Sequence, residues 1–354
     1  MEILKPFQIA ISADLIKHYT GSQPLHQYLA EQFKQHKNWG SRDRKLYREL
    51  VFSFYRLGGV TNSMSIENAI QLAYQNKDEL LSQIELKNVF FQYQYLSELI
   101  DKDVYVKSLL YNKSVYIKII GNHFETVIDY LNTHNMDFYG YSTDVLRLSA
   151  NSKCDEIIAN GWAIVMDVSS QKCVDKVELF GKEWVLDCCS GAGGKSLFIK
   201  NKYPQIQLTC NDIRYTIIEN LKARFKACKI EQPVCEVHDF SKDLFLHKKF
   251  DCILADVPCS GSGTWGRAPE NLLYFNQAKI TDYSFLQRKI IKNAVKLMKP
   301  TSSLYYITCS VFAEENEKNI DYFKVNYGLN CHSMEYVNAD GNNSDWLFVA
   351  TLSL

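Results

Sequence analysis

The sequence has no excess of either charge: 40 Lys and Arg balance 40 Asp and Glu. That excludes the strong overall field by which a chain draws in a polyanion, so any contact with nucleic acid has to be local. Proline (7) and glycine (16) are scarce for 354 residues, and 46% of the chain is hydrophobic. Disordered, collagen-like and low-complexity readings fall away, and there is apolar material for two or three cores. No run approaches the roughly 20 apolar residues of a membrane span, and MEILKPFQIA has no basic run followed by a long apolar stretch. Both absences point to the cytoplasm. Eleven cysteines are scattered through apolar and strand-like segments, with no CxxC and no Cys/His pair at zinc spacing. Reduced thiols and no metal site are expected.

What is present divides the chain into three segments. Residues 1–110 read as helical, because apolar residues recur at three and four, as in Leu25, Tyr28, Leu29 and Phe33, then Leu46, Leu50, Phe54 and Leu57. Residues 1–60 hold nine Lys/Arg against five Asp/Glu, whereas 61–150 hold seven against eleven. The basic excess gathers at Lys37, Arg42, Arg44, Lys45 and Arg48, either as a solvated helix face or as a phosphate-contacting one. Residues 111–172 read as a small α+β unit, with strands in SVYIKII, DVLRLSA and WAIVMDV and a helix in FETVIDYLNTHN. In residues 173–354, strands (WVLDCC, IQLTCND, PVCEVHD, FDCILADV, SLYYITCS) alternate with amphipathic stretches, which predicts a parallel Rossmann-like α/β sheet with βαβ crossovers.

The first chemical signal is Cys189-Ser190-Gly191-Ala192-Gly193-Gly194-Lys195, which follows the strand ending in Asp187. Small residues let backbone approach a ligand, and the helix that opens there offers unpaired N–H groups. The loop matches neither GxGxxG nor the GxxxxGK[ST] phosphate loop. Asp212 ends the next strand, where a carboxylate can accept both hydroxyls of a ribose, and Asp239 ends the third, placed to meet an adenine edge. Acids at successive strand ends beside a loop without a phosphate fingerprint suit an adenosyl ligand carrying a cationic sulfonium, and S-adenosylmethionine is the natural candidate. The plain alternative makes Asp212 a helix cap and Asp239 a turn residue.

The second signal is a pair of cysteines at strand C-terminal ends, Cys259 in Asp256-Val257-Pro258-Cys259-Ser260-Gly261 and Cys309 in Ile307-Thr308-Cys309-Ser310. That edge of an open α/β sheet is where ligands bind. A cysteine there becomes a nucleophile when positive charge favours its thiolate, and Lys195 and a sulfonium offer that charge. The other cysteines read as small buried hydrophobes. An exocyclic-amine methyltransferase would place Asn-Pro-Pro-Tyr or Asp-Pro-Pro-Tyr after the fourth strand, and here Asp-Val-Pro-Cys stands instead.

These residues resemble the RsmB/Nop/Sun family of RNA cytosine carbon-5 methyltransferases. GAGGKS is similar to the family's APGGKT loop, ADVPCSGSGTW to its fourth motif, YYITCSVFAEENE to its sixth and DWLFVATL to its closing strand. NWGSRDRKLYRELVFSFYR resembles the helical NusB-like module of the RsmB type, and VMDVSSQ the join into the catalytic domain. Gly191-Ala192 replaces the family's Ala-Pro, and YIKII stands where an Arg and an Asn are usual.

The resemblance implies a class I methyltransferase fold for 173–354 behind a NusB-like module (1–110) and a small α+β domain (111–172). It implies Cys309 as nucleophile, Asp256 as the group on the cytosine ring nitrogen and amine, Cys259 as the aid to elimination, and Lys195 beside the base. Cys189 to Lys195, with Asp212, Asp239 and Asp256, would hold the cofactor. RNA is the implied partner, ribosomal before transfer RNA, with the protein acting as a monomer; a non-catalytic assembly factor of the same fold is the rival. Trp265, Tyr306 and Phe312 either line the base pocket or belong to the core.

Overall fold

The computed structural model describes residues 3–150, 152–242 and 248–354. It separates into two units. The first consists of the chain up to Asn112 together with Thr264–Gln277. Its principal helices are Pro6–His18, Leu25–Gln35, Ser41–Arg56 and Ile66–Tyr74. Leu25, Leu29, Leu50, Val51, Tyr55 and Ile70 are almost fully buried between them. At about 1.5–3 kcal/mol for each large side chain removed from water, this face supplies the helices with stability that isolated segments of 9 to 16 residues lack. The 264–277 segment is integral to the unit. Glu270 Oε1 accepts the Leu25 N–H at 3.0 Å, capping a helix whose N-cap residue is Pro24, and the Arg56 guanidinium donates to Gly266 O at 3.3 Å. Trp265, 1% exposed, packs on Phe90 and Phe275 with ring centroids 5.5 and 4.8 Å apart.

The second unit, Lys113–Gly263 with Ala278–Leu354, carries two sheets. Strands β1 (Val115–Ile119), β2 (Phe138–Ser142), β3 (Val145–Leu148) and β4 (Ala163–Val165) form an antiparallel sheet in the order β2-β3-β1-β4. Seven further strands are β5 (Trp184–Asp187), β6 (Gln207–Asn211), β7 (Val234–Glu236), β8 (Phe250–Asp256), β9 (Met298–Thr308), β10 (Asn330–Val337) and β11 (Leu347–Ser353). Their order is β10-β11-β9-β8-β5-β6-β7. The five from β5 to β9 are parallel, and β11 runs antiparallel between β9 and β10.

This is the Rossmann-like α/β topology anticipated from the alternation of strands and helices, with β10 and β11 adding an antiparallel edge to the parallel sheet expected. Successive side chains of the central strands point to opposite faces. Leu186 and Ile253 pack on one side with Ile290, Ile291 and Phe323, while Val185 and Leu254 pack on the other with Leu197, Leu221 and Phe225. The strand order reverses between β5 and β8, so the C-terminal ends of these two strands flank the crevice where such sheets bind ligands.

Candidate active site

The glycine-rich turn leaves β5 at Asp187 and enters the helix Gly194–Lys202. Gly193 has φ +79°, and a Cβ there would lie 2.7 Å from Leu221, so both conformation and space demand glycine. The turn is held from outside: Ser190 N–H donates to Asn211 O at 2.8 Å, Gly191 N–H to Asp212 Oδ2 at 3.2 Å, and Arg224 to Ala192 O at 2.7 Å. The half-buried Cys189 thiol is pushed well up by its neighbour Cys188 and by burial.

Asp212 is almost buried and also accepts from the Arg214 backbone N–H and guanidinium at 2.9–3.0 Å. Burial alone would raise this carboxyl, but the Arg214 bonds and charge and the Gly191 N–H outweigh it and hold the group below the ordinary range. Asp239 turns back on its own loop, accepting Ser241 N–H at 2.9 Å and Ser241 Oγ–H at 2.6 Å, which lower it further with help from Lys242. Both acids thus stand after their strands and both engage local turn partners.

Asp187, the first of the acids at successive strand ends, is not singled out as a site residue by the sequence. Its carboxyl is 1% exposed; Oδ2 accepts the Ser196 hydroxyl at 2.5 Å, and buried Oδ1 has no hydrogen-bond partner. Burial raises it to about 7 against the pull of Ser196. An unpaired buried carboxylate oxygen facing a glycine-rich turn is the environment a cationic ligand would satisfy.

Lys195, the second residue of the same helix, reaches across to β8 and donates to Asp256 Oδ2 at 2.6 Å. Burial would lower the ammonium, but the Asp256 charge and bond raise it, so the lysine stays cationic with Cys309 inside its field. Cys259 lies in the loop after β8 and Cys309 directly follows β9, strands paired in register from Cys252↔Ser303 to Asp256↔Ile307. Their Sγ atoms are 3.2 Å apart. The contact with Cys309, followed by burial, pushes the Cys259 thiol well above its ordinary value. Gly263 lies between the Cys309 and Trp346 carbonyls: its N–H donates to Cys309 O at 2.9 Å, and a Cβ would fall 1.9 Å from Trp346 O.

The structure therefore brings Lys195, Asp256, Cys259 and Cys309 together, with the turn and Asp212 beside β5 and β6. It does not give the three aromatics a pocket. Tyr306 and Phe312 are fully buried in the catalytic unit, and Trp265 is core of the helical unit. Among the described residues no group of three or more His, Cys, Asp or Glu could hold a metal, and no helix is long and apolar enough to cross a membrane.

A model of the family described as 16S rRNA methyltransferase RsmB/F matches residues 176–344. Ribosomal RNA small subunit methyltransferase B of Cronobacter sakazakii is 32% identical over 184 residues, covering 51% of this chain and 43% of that protein. The protein of the same name from Klebsiella pneumoniae strain 342 is 30% identical over 186 residues, covering 51% and 42%. The match thus spans less than half the length of these relatives. Among solved structures, PH0851 aligns over 100% of both chains with a TM-score of 0.78 at 18% identity. NSun6 from Pyrococcus horikoshii, solved with SFG, aligns over 74% of this chain and 96% of its own with a TM-score of 0.64 at 14% identity. At these identities the two structures establish the fold. The segment that matches the 16S rRNA methyltransferase RsmB/F model, 176–344, is the one in which the glycine-rich turn and both cysteines lie.

Proposed function

We propose that this chain is an S-adenosylmethionine-dependent RNA cytosine carbon-5 methyltransferase of the cytoplasm, acting on small-subunit ribosomal RNA. The observation that carries the reading is the pair of thiols, 3.2 Å apart at the ends of adjacent parallel strands and flanked by the Lys195–Asp256 pair. The names of its relatives supply the substrate: both curated relatives are ribosomal RNA small subunit methyltransferases.

Carbon 5 of cytosine is a weak nucleophile, so a thiolate must first add at carbon 6 and turn the ring into an enamine. Cys309 is the group assigned to that attack, beside the cationic Lys195. Asp256 accepts from the exocyclic amine, and the Lys195 ammonium bonded to it supplies the positive charge that offsets the negative charge developing on the ring nitrogen on addition. Bound S-adenosylmethionine supplies the electrophilic methyl group, and the orphaned Oδ1 of Asp187, the turn and Asp212 fit its cationic and ribose ends. Arg214 must first release the Asp212 oxygens. The carbon-5 proton then passes to water as the Cys309–carbon-6 bond breaks, and the Cys259 thiol assists by donating a hydrogen bond to the departing Cys309 thiolate 3.2 Å away. The target base has to leave its stack to enter such a site. The basic face of the helix Ser41–Arg56 is assigned to the RNA backbone, as in a NusB-like module.

The test is incubation with methyl-labelled S-adenosylmethionine and either unmodified small-subunit ribosomal RNA or transfer RNA, followed by digestion to nucleosides. Label in 5-methylcytidine from ribosomal RNA is the expected result. Label from transfer RNA alone moves the substrate, and label in another nucleoside overturns the mechanism.

A further inference from the structure

The buried carboxylate of Glu315 belongs to neither the cofactor set nor the thiol pair, and it touches the loops of both cysteines. Glu315 ends the turn Ala313–Glu315 and is 0% exposed. Its Oε2 accepts the backbone N–H of Ser260, the residue after Cys259, at 2.8 Å and Gln287 Nε2 at 3.0 Å. Its Oε1 accepts the hydroxyl of Ser310, the residue after Cys309, at 2.7 Å. Gln287 completes the hold on the first loop by donating to Pro258 O, before Cys259, at 2.9 Å. Asn316, next to Glu315, completes the hold on the second: Thr308 Oγ1 donates to it at 2.6 Å, and it donates to Ser310 O at 2.9 Å.

We propose that Glu315 is the positioning residue of this site, its two carboxylate oxygens fixing the Cys259 and Cys309 loops in one register so that both thiols face one base. The catalytic consequence rests on the methyltransferase reading above; the geometric claim does not. A carboxylate suits the task because Ser260 N–H and Gln287 Nε2 can only donate, so Oε2 must accept, while the Ser310 hydroxyl, which donates to Oε1 here, can also accept. An isolated buried carboxylate is costly, and these donors are what make it tolerable. Burial pushes the Glu315 carboxyl up while the same donors oppose it, and its charge adds to the forces that keep Cys259 a thiol.

The test uses the full chain and the variants Glu315→Leu, Glu315→Gln and Ser310→Ala, each checked for a cooperative melt. The first readout needs no RNA. Diamide takes two electrons and two protons from neighbouring thiols to give a disulfide, and peptide mass spectrometry follows the Cys259–Cys309 bond. Glu315→Leu is expected to slow this cross-link about tenfold and covalent adduct formation with RNA about a hundredfold, since an ångström of misplacement suffices for that loss. Glu315→Gln, which keeps one acceptor, is expected to recover most of both rates, and Ser310→Ala, which deletes one tether, to fall between. S-adenosylmethionine affinity should stay within about twofold throughout, because no tethered atom belongs to the cofactor set.

A wild-type cross-linking rate in folded Glu315→Leu overturns the proposal, as does Glu315→Gln being as impaired as Glu315→Leu. Should Glu315→Leu not fold, the order of wild type, Glu315→Gln and Ser310→Ala decides it. Cross-linking that follows the expected order while no RNA forms an adduct with the unaltered protein upholds the positioning and overturns the methyltransferase reading instead.

Discussion

Cys259 and Cys309, 50 residues apart in sequence, place their sulfur atoms 3.2 Å from each other. Neither position is interchangeable with the other. The Cys309 thiol lies in the field of Lys195, whereas the contact with Cys309, burial and the Glu315 charge keep Cys259 protonated.

That asymmetry fixes opposite outcomes for two substitutions. Cys309→Ala is expected to abolish methyl transfer and adduct formation. Cys259→Ser is expected to accumulate a covalent protein–RNA species, visible as a retarded band in a denaturing gel, because attack proceeds and release fails. Full activity in Cys309→Ala, with no band from Cys259→Ser, would reverse the roles.

Asp187 makes stability depend on pH. Its folded carboxyl keeps a proton up to about 7, against an ordinary value of 3.8. Between those limits the folded state binds more protons than the unfolded one, so stability falls as pH rises from about 4 to 7 and levels off above. The whole effect is at most about 4 kcal/mol. Asp187→Asn removes this titration, so denaturant melts at pH 5 and pH 8 should differ less than for the unaltered protein. The same variant should bind S-adenosylmethionine more weakly, as isothermal titration would show, because the proposed cofactor site sets the ligand's positive charge against this carboxyl.

Gly263 is expected to accept no side chain. With a Cβ 1.9 Å from Trp346 O and 3.1 Å from Cys309 O, Gly263→Ala must push the Trp346 carbonyl and the 263 backbone apart, crowding the Cys309 turn to which Gly263 N–H is bonded. Overpacking of this kind costs about 1–3 kcal/mol, measurable as a lower melting temperature. Adduct formation should drop out of proportion to that loss while cofactor affinity is kept. Wild-type adduct rates would show that the turn relaxes without moving the thiol.

The basic face of Ser41–Arg56 gives a prediction on binding alone. Reversing Arg42, Arg44 and Lys45 to Glu should weaken RNA binding and flatten its dependence on salt by about 0.7–0.9 logarithmic units for each phosphate left without a cation. S-adenosylmethionine affinity should not change. Unaltered RNA affinity would return these residues to the role of a solvated helix face.

Much of the catalytic sheet was legible because buried parallel strands read as short apolar runs, and β5, β6, β8 and β9 all do. The cysteines were legible because ligand-facing residues sit where those runs end. The edge strand β10 was not: Asn330–Val337 is largely exposed and mixes polar with apolar residues, so no alternation marks it. Glu315 was hidden for another reason. Its bond to Ser260 joins residues 55 apart, and nothing in AEENE distinguishes a buried acceptor from a solvated one. Trp265 stayed open between pocket and core because adjacency in sequence does not fix adjacency in space, and the chain leaves the second unit immediately after Gly263.

That departure sets an order on synthesis. The helical unit needs Glu270 to cap the helix Leu25–Gln35 and Trp265 to fill the space beside Phe90. A ribosome that has finished the first 112 residues has therefore made a unit still missing part of its interior. It must translate more than half of the catalytic sheet, through β8, before Thr264–Gln277 emerges to close it. A fragment ending at Asn112 would expose that unfilled interior to solvent, and adding 264–277 back as a separate peptide should restore its cooperative melt.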